Sequence, residues 1–228
     1  MRCSFQLQLL YSAVLAAGVL QGAEPPAPLG AVVAHWAFDG DLRDQSGWDR
    51  HLPAKDERFV PGQHGQALAV DRVPIVVPGT PELELAPGLR IACWVRFPDR
   101  SSGYDPFVGK EGEYMLRVDP LSEGSHFAFF VHLNGSWEPR VRCSKPMEPG
   151  IWYHVVAVWD GERATLEVNG ERASIPRSGW TRPTGEPLEI GAPGAMLDEL
   201  RIENPLMRNP RTRRSEERRV GKECRSRW

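Results

Sequence analysis

Two groups of residues in this sequence have the types and spacing to do chemistry. The first is acidic: Asp39, Asp41 and Asp44 fall in one short loop, 39–47, reading DGDLRDQSG. Clustered carboxylates offer the hard oxygen ligands that calcium takes, although no bidentate Glu stands at the twelfth position that an EF-hand loop requires. The same side chains can instead cap turns by accepting backbone N–H hydrogen bonds. The second group is aromatic and cationic: Trp94, Arg96, Arg142, Trp152 and His154. Aromatic faces stack on sugar rings and a guanidinium fork donates several hydrogen bonds, so a surface carrying them could hold a saccharide. Trp and His at such positions also finish the packing of a sheet with one polar atom satisfied. Signatures of catalysis and metal binding are missing: the sequence has no Gly-x-Ser-x-Gly elbow, no His-Glu-x-x-His pair and no paired Cys-x-x-Cys. Its six histidines show no metal-ligand spacing. Asn134-Gly135-Ser136 reads equally as a glycosylation sequon and as a hairpin turn.

Strands must position these side chains. Residues 150–174, GIWYHVVAVWDGERATLEVNGERAS, hold three apolar runs separated by Asp160-Gly161 and Asn169-Gly170. Both dipeptides reach positive φ at little cost and close tight hairpins, so this stretch is predicted to be a three-stranded antiparallel meander. In its first run Tyr153, Val155, Ala157 and Trp159 share one face, with Trp152, His154, Val156 and Val158 on the other. Further strands are predicted at 31–38, 66–70, 73–77, 89–97, 107–110, 114–118, 127–133, 140–143, 188–190 and 197–202. In 89–97 (LRIACWVRF) Leu89, Ile91, Cys93, Val95 and Phe97 fall on one face, and Arg90, Ala92, Trp94 and Arg96 on the other. If the first of these faces and that of Tyr153 turn inward, the five aromatic and cationic candidates point outward on their sheets. No sustained helical repeat is present, and 22 Gly with 21 Pro suit a turn-rich all-β fold. A meander needs a second sheet to bury its apolar face, so the expected architecture is a two-sheet antiparallel sandwich.

The two ends stand apart. Residues 1–23 read as a secretory signal, with Arg2 ahead of an uncharged, mostly apolar run at 9–20 and the small pair Gly22-Ala23. The run is short for a spanning helix, so no transmembrane segment is expected in the mature chain. Residues 24–30 form a Pro-rich linker, and 31–206 the domain. Residues 214–228, RSEERRVGKECRSRW, resemble a translated sequencing adapter and read as a non-native tail; 207–213 would then begin a lost C-terminal region. Without the signal and tail, the 28 basic and 30 acidic residues become 21 and 27, a net charge of −6. That balance argues against nucleic acid as a partner. The same trimming leaves Cys93 and Cys143, both directed inward by alternation. Export would favour a bridge between them; the alternative is two buried thiols acting as small hydrophobes.

The succession HWAFDGDLRDQSG, FVPGQHGQALAVD, LRIACWVRF, FVGKEGEYMLRV, GIWYHVVAVWDGERATLEVNG, PLEIGAPG and LDELRI resembles a laminin-G-like (LamG) jelly-roll domain of the concanavalin A-like lectin/glucanase superfamily. The resemblance implies one convex and one concave antiparallel sheet, and often a carbohydrate- or protein-binding role. It also implies a structural calcium ion tying the first loop to the Asp that opens the last strand, positions held here by Asp39 and Asp198. Retaining glucanases of this fold carry Glu-x-Asp-x-Glu on one strand, which sets nucleophile and acid on one face. No such strand occurs here, and the nearest pair, Glu199 with Glu203, lies on the final strand. The expectation is therefore a secreted or cell-surface, non-catalytic module that binds glycan or extracellular protein. The competing expectations are part of a polysaccharide-active enzyme, or a structural module of a larger surface protein.

Overall fold

A computed structural model of the chain describes residues 30–53, 58–100, 103–104 and 106–205. The expected signal segment, residues 24–29 of the linker and everything from residue 206, including the adapter-like tail, lie outside the described residues. The described chain forms two antiparallel sheets. One contains β1 (Ala31–Trp36), β2 (Arg58–Pro61), β3 (Gln66–Ala69), β5 (Leu89–Arg96), β10 (Tyr153–Trp159), β11 (Arg163–Val168), β12 (Glu171–Pro176) and β14 (Met196–Asn204). The other contains β4 (Ile75–Val77), β6 (Pro106–Lys110), β7 (Tyr114–Val118), β8 (His126–Leu133), β9 (Ser136–Pro146) and β13 (Leu188–Ile190). Their orders are β12-β11-β10-β5-β14-β3-β2, with β1 added on β14, and β4-β13-β6-β7-β8-β9. This is the two-sheet antiparallel sandwich that the alternation predicts, and the jelly roll that the resemblance implies.

The inward faces are those read from period two. Leu89, Ile91, Cys93 and Val95 of β5 and Val155, Ala157 and Trp159 of β10 are buried opposite Tyr114, Leu116, Phe127 and Phe129 of the six-stranded sheet. Phe97, Phe107 and Phe127 meet with ring centroids 5.9–6.4 Å apart, in the edge-on and tilted contacts that aromatic quadrupoles favour. The meander closes as expected: Asn169 and Gly170 both have positive φ, 50° and 85°, which the tight turn between β11 and β12 demands.

Three features differ from the sequence expectation. β2 is new, a four-residue edge strand paired only to β3 and too short to show a period. The strand expected at 140–143 runs from Ser136 to Pro146, because Asn134 and Gly135 at positive φ fold β9 back onto β8 at once. Cys93 and Cys143 form no bridge; both are buried free thiols. The reason is their position in the two sheets: Cys93 stands on β5, in the middle of one, and Cys143 on β9, the edge strand of the other, which packs against β11 and β12. A disulfide needs Cα atoms within about 7 Å. The Cys143 thiol instead donates to the Lys145 carbonyl at 3.1 Å.

β14 is the strand on which the molecule is built. It pairs with β5 on one side, and on the other with β3 through Met196 and Leu197, then with β1 from Leu200 to Asn204. A bulge between Asp198 and Arg201 separates the two partners, with Glu199 held at a φ of 52°. At the far end Gly30 packs so closely on Asn204 that a Cβ there would sit 2.3 Å from its carbonyl oxygen. The described chain therefore enters and leaves the domain side by side.

Candidate functional site

On the outer face of the eight-stranded sheet, register places Trp94 beside His154 on one neighbour and Asp198 on the other. The Trp94 and His154 rings lie 5.0 Å apart, and His64 meets Trp94 edge-on at 5.7 Å. Burial, then the nearby Arg90, hold the His154 imidazole below its ordinary pKa. Arg96 stacks 5.1 Å from the Trp152 ring and directs its Nε and Nη2 at the Met196 sulfur. These four candidates are thus neighbours, already occupied with one another. Arg142 is not among them, because it projects from β9 on the opposite sheet.

The acidic candidates converge on one turn. Asp198 Oδ2 accepts from the backbone N–H groups of Gln63 and His64 at 2.8 and 2.7 Å, and Asp39 Oδ1 accepts from Gln66 at 2.8 Å. The turn needs its glycines: a Cβ at Gly62 would lie 2.7 Å from Asp198 Oδ2, and one at Gly65 2.0 Å from Asp39 Oδ1. Asp44 behaves as a turn organiser, accepting from the backbone N–H groups of His35, Ser46 and Arg50 and from the Ser46 hydroxyl. Asp41 likewise accepts from Arg43 N. No group of three or more His, Cys, Asp or Glu capable of holding a metal occurs among the described residues. One observation still fits a hard cation. Asp198 is fully buried, its Oδ1 has no hydrogen-bond partner, and burial raises its carboxyl above the usual range.

The outer face of the six-stranded sheet holds a groove that sequence reasoning did not reach. Its cavity of about 290 Å³ is lined by Pro106, Gly109, Met115 and Trp137 together with Glu111, the 186–187 segment and Glu189. A Cβ at Gly109 would sit tightly on Pro106, at 3.3 Å, and in ordinary contact with Met115, at 3.5 Å, so the absence of a side chain leaves room over this part of the sheet. Trp137 is set by an edge-on contact with His132 at 5.0 Å. A buried ion pair, Lys110 with Glu113, fixes the wall: Glu113 Oε1 accepts from the Thr184 backbone N–H at 3.1 Å and hydroxyl at 2.9 Å. Register continues this surface across the sheet from Glu189 through Gly109, Met115 and Phe130 to Arg140. At that end Arg117, Arg140 and Arg142 gather on the fully buried Asp119. The Tyr104 hydroxyl donates to Glu123 at 2.7 Å and, with Arg140, holds that carboxyl below its ordinary range. Only pairing across strands assembles this surface; along the chain its members are single residues separated by unrelated ones. A second hollow of about 650 Å³ opens between β3 and β4, but its lining, from Pro53 and Arg58 through 68–76, includes no aromatic ring.

The fold and these faces place the chain in a class. Residues 81–207, more than half of its length, match the family described as the concanavalin A-like lectin/glucanases superfamily, and the chain belongs to it. No curated protein matches the sequence. Among solved structures, domain 4 of AbnA, a GH43 extracellular arabinanase from Geobacillus stearothermophilus in complex with arabinotriose, is similar at 17% identity. The match covers 76% of this chain and 92% of that one with a TM-score of 0.52. The binding domain of botulinum neurotoxin DC in complex with SialylT matches at 10% identity and a TM-score of 0.61 over 76% of this chain; the chain spans 47% of that domain's length. The Trypanosoma rangeli sialidase matches at 14% identity and a TM-score of 0.55, covering 78% of this chain and 31% of the sialidase. At these identities the likeness is one of fold. No helix among the described residues is long and apolar enough to cross a membrane.

Proposed function

We propose that this domain is a non-catalytic binding module that takes a glycan in the groove on the outer face of the six-stranded sheet. The observation that carries the reading is the groove itself: an indole, a methionine and a proline beside a glycine, with carboxylates in the same lining. Its volume lies at the lower end of the range for ligand clefts, about 300–1,000 Å³, which suits a sugar ring stacked on Trp137. Two structural relatives, the arabinanase domain and the neurotoxin binding domain, were solved with a saccharide or a compound named SialylT, which supports the same use of the fold. The Trp94, His154 and His64 rings are assigned to holding the 62–66 turn. Calcium, where bound, would be held by Asp198 and Asp39 and would supply a structural crosslink between the 39–47 loop and β14. The signal-like first 23 residues support export, so that the ligand is met outside the cytoplasm.

The test is a glycan array followed by calorimetry on the purified protein. Trp137→Ala should abolish binding of the best array ligand, and Gly109→Val should block it by filling the room beside Pro106, both with the fold intact by circular dichroism. Trp94→Ala should leave binding unchanged. Glycan binding lost with Trp94→Ala and kept with Trp137→Ala would transfer the site to the other sheet. Hydrolysis of any array glycan, lost with Glu189→Gln, would favour the enzyme reading instead.

A further inference from the structure

Resting on the groove reading above, we propose that the glycan is predominantly neutral and carries one isolated carboxylate, a uronic-acid type residue, which Arg140 and Arg142 receive. Asp119 is fully buried and requires a cation, but the face supplies three. Arg117 would suffice, since it reaches Asp119 at 3.1 Å and lies between the Tyr104 and Phe130 rings at 4.6 and 4.3 Å. With Glu123, the described cluster holds three guanidiniums against two carboxylates. The surplus charge sits on the open side: 27% of the Arg140 side chain and 39% of that of Arg142 are exposed, against 11% for Arg117.

Both open guanidiniums are held in place before any ligand arrives. Arg140 donates through Nη2 to Asp119 and Glu123; Arg142 donates through Nε to Asp119 and through Nη2 to the Glu123 carbonyl. The Nη1 group of each has no acceptor among the described residues. A planar guanidinium fixed on one edge and open on another matches the geometry of a carboxylate, and holding it ready lowers the entropic cost of binding.

The opposite end of the same row restricts the ligand to a sparse charge. Glu189 lies four inter-strand steps from Arg140, about 19 Å at the usual strand spacing. Glu111 and Glu186 stand beside it. A uniformly sulfated or carboxylated chain laid along this row would press its charges on three carboxylates. A neutral chain with one acidic residue meets complementary groups at both ends and is oriented by them.

The experiment measures binding of the purified full chain to matched oligosaccharides of several backbones, each neutral or bearing one glucuronic acid, and to heparin. Removing a charge-assisted hydrogen bond costs roughly tenfold or more in affinity. The uronate-bearing member of one pair should therefore bind about tenfold tighter. Arg142→Gln should erase that preference and keep the neutral affinity, and Arg142→Lys should keep part of it. Trp137→Ala should weaken both members equally. Equal affinity for the two members would overturn the proposal and leave the groove reading standing. Heparin binding tightest, with a steep loss in salt, would overturn it in favour of a general polyanion site. Failure of every oligosaccharide to bind would remove the groove reading and this inference together.

Discussion

Asp198 is held by opposed forces: burial disfavours its charge, while two backbone N–H groups favour it, and burial wins. A carboxyl with a raised folded-state pKa stabilises the protein below its unfolded value and loses that contribution as pH rises through the folded one. In chelator, the melting temperature should therefore decline as pH rises through and just above the ordinary carboxylate range. Asp198→Asn, which keeps an acceptor for Gln63 and His64, should lack this decline. Calcium binding the ionised form should raise the melting temperature of the wild type at neutral pH and leave that of Asp198→Asn unchanged. Indifference of both proteins to calcium would reduce Asp39 and Asp198 to turn residues. The outward orientation of Trp94, Arg96, Trp152 and His154 was legible in the sequence, because period two sorts faces. Trp137, Phe130 and Arg117 were not, since what makes them a surface is their neighbours on other strands.

The β6–β7 turn does two jobs, closing a hairpin and holding the groove wall. Lys110 and Glu113 are both almost fully buried and tie that turn to Thr184 and, through Glu113 Oε2, to the Leu85 N–H at 2.8 Å. Removing one member of a buried pair strands the other charge, at a cost of about 3–5 kcal/mol. Lys110→Met should lose that much in urea denaturation. Lys110→Met/Glu113→Gln should recover part of it, because no charge is then left buried, although the single amide oxygen of Gln can accept from Thr184 or from Leu85 but not from both. A single variant as stable as wild type would show that the pair contributes nothing. Tyr114–Val118 and Leu188–Ile190 coincide with their sequence expectations, and every second residue in both is buried. β9 was harder to read: its register with β8 shifts twice, and Pro139 interrupts the pattern, so only the central part looked like a strand.

The sandwich as a whole stands on its apolar filling, with no covalent tie between the sheets. Burial pushes the Cys93 thiol up to about 12, which leaves it inert while the fold is intact. Under non-reducing conditions Cys93 should not react in the native state, and unfolding should bring the count from residues 24–213 to two titratable thiols. Dithiothreitol should leave the melting temperature unchanged; a drop on reduction would mean that a bridge does form. The two-sheet architecture was legible because the hairpin dipeptides and the inward faces agree with each other. The pairing of β14 with three partners was not, because strand order depends on contacts between residues more than a hundred positions apart. The close packing of Gly30 on Asn204 has a mechanical consequence. Flanking segments attached at both ends would leave from a single point, so the domain would hang like a pennant from its pole. It could be spliced into a surface loop of a larger protein without stretching that loop.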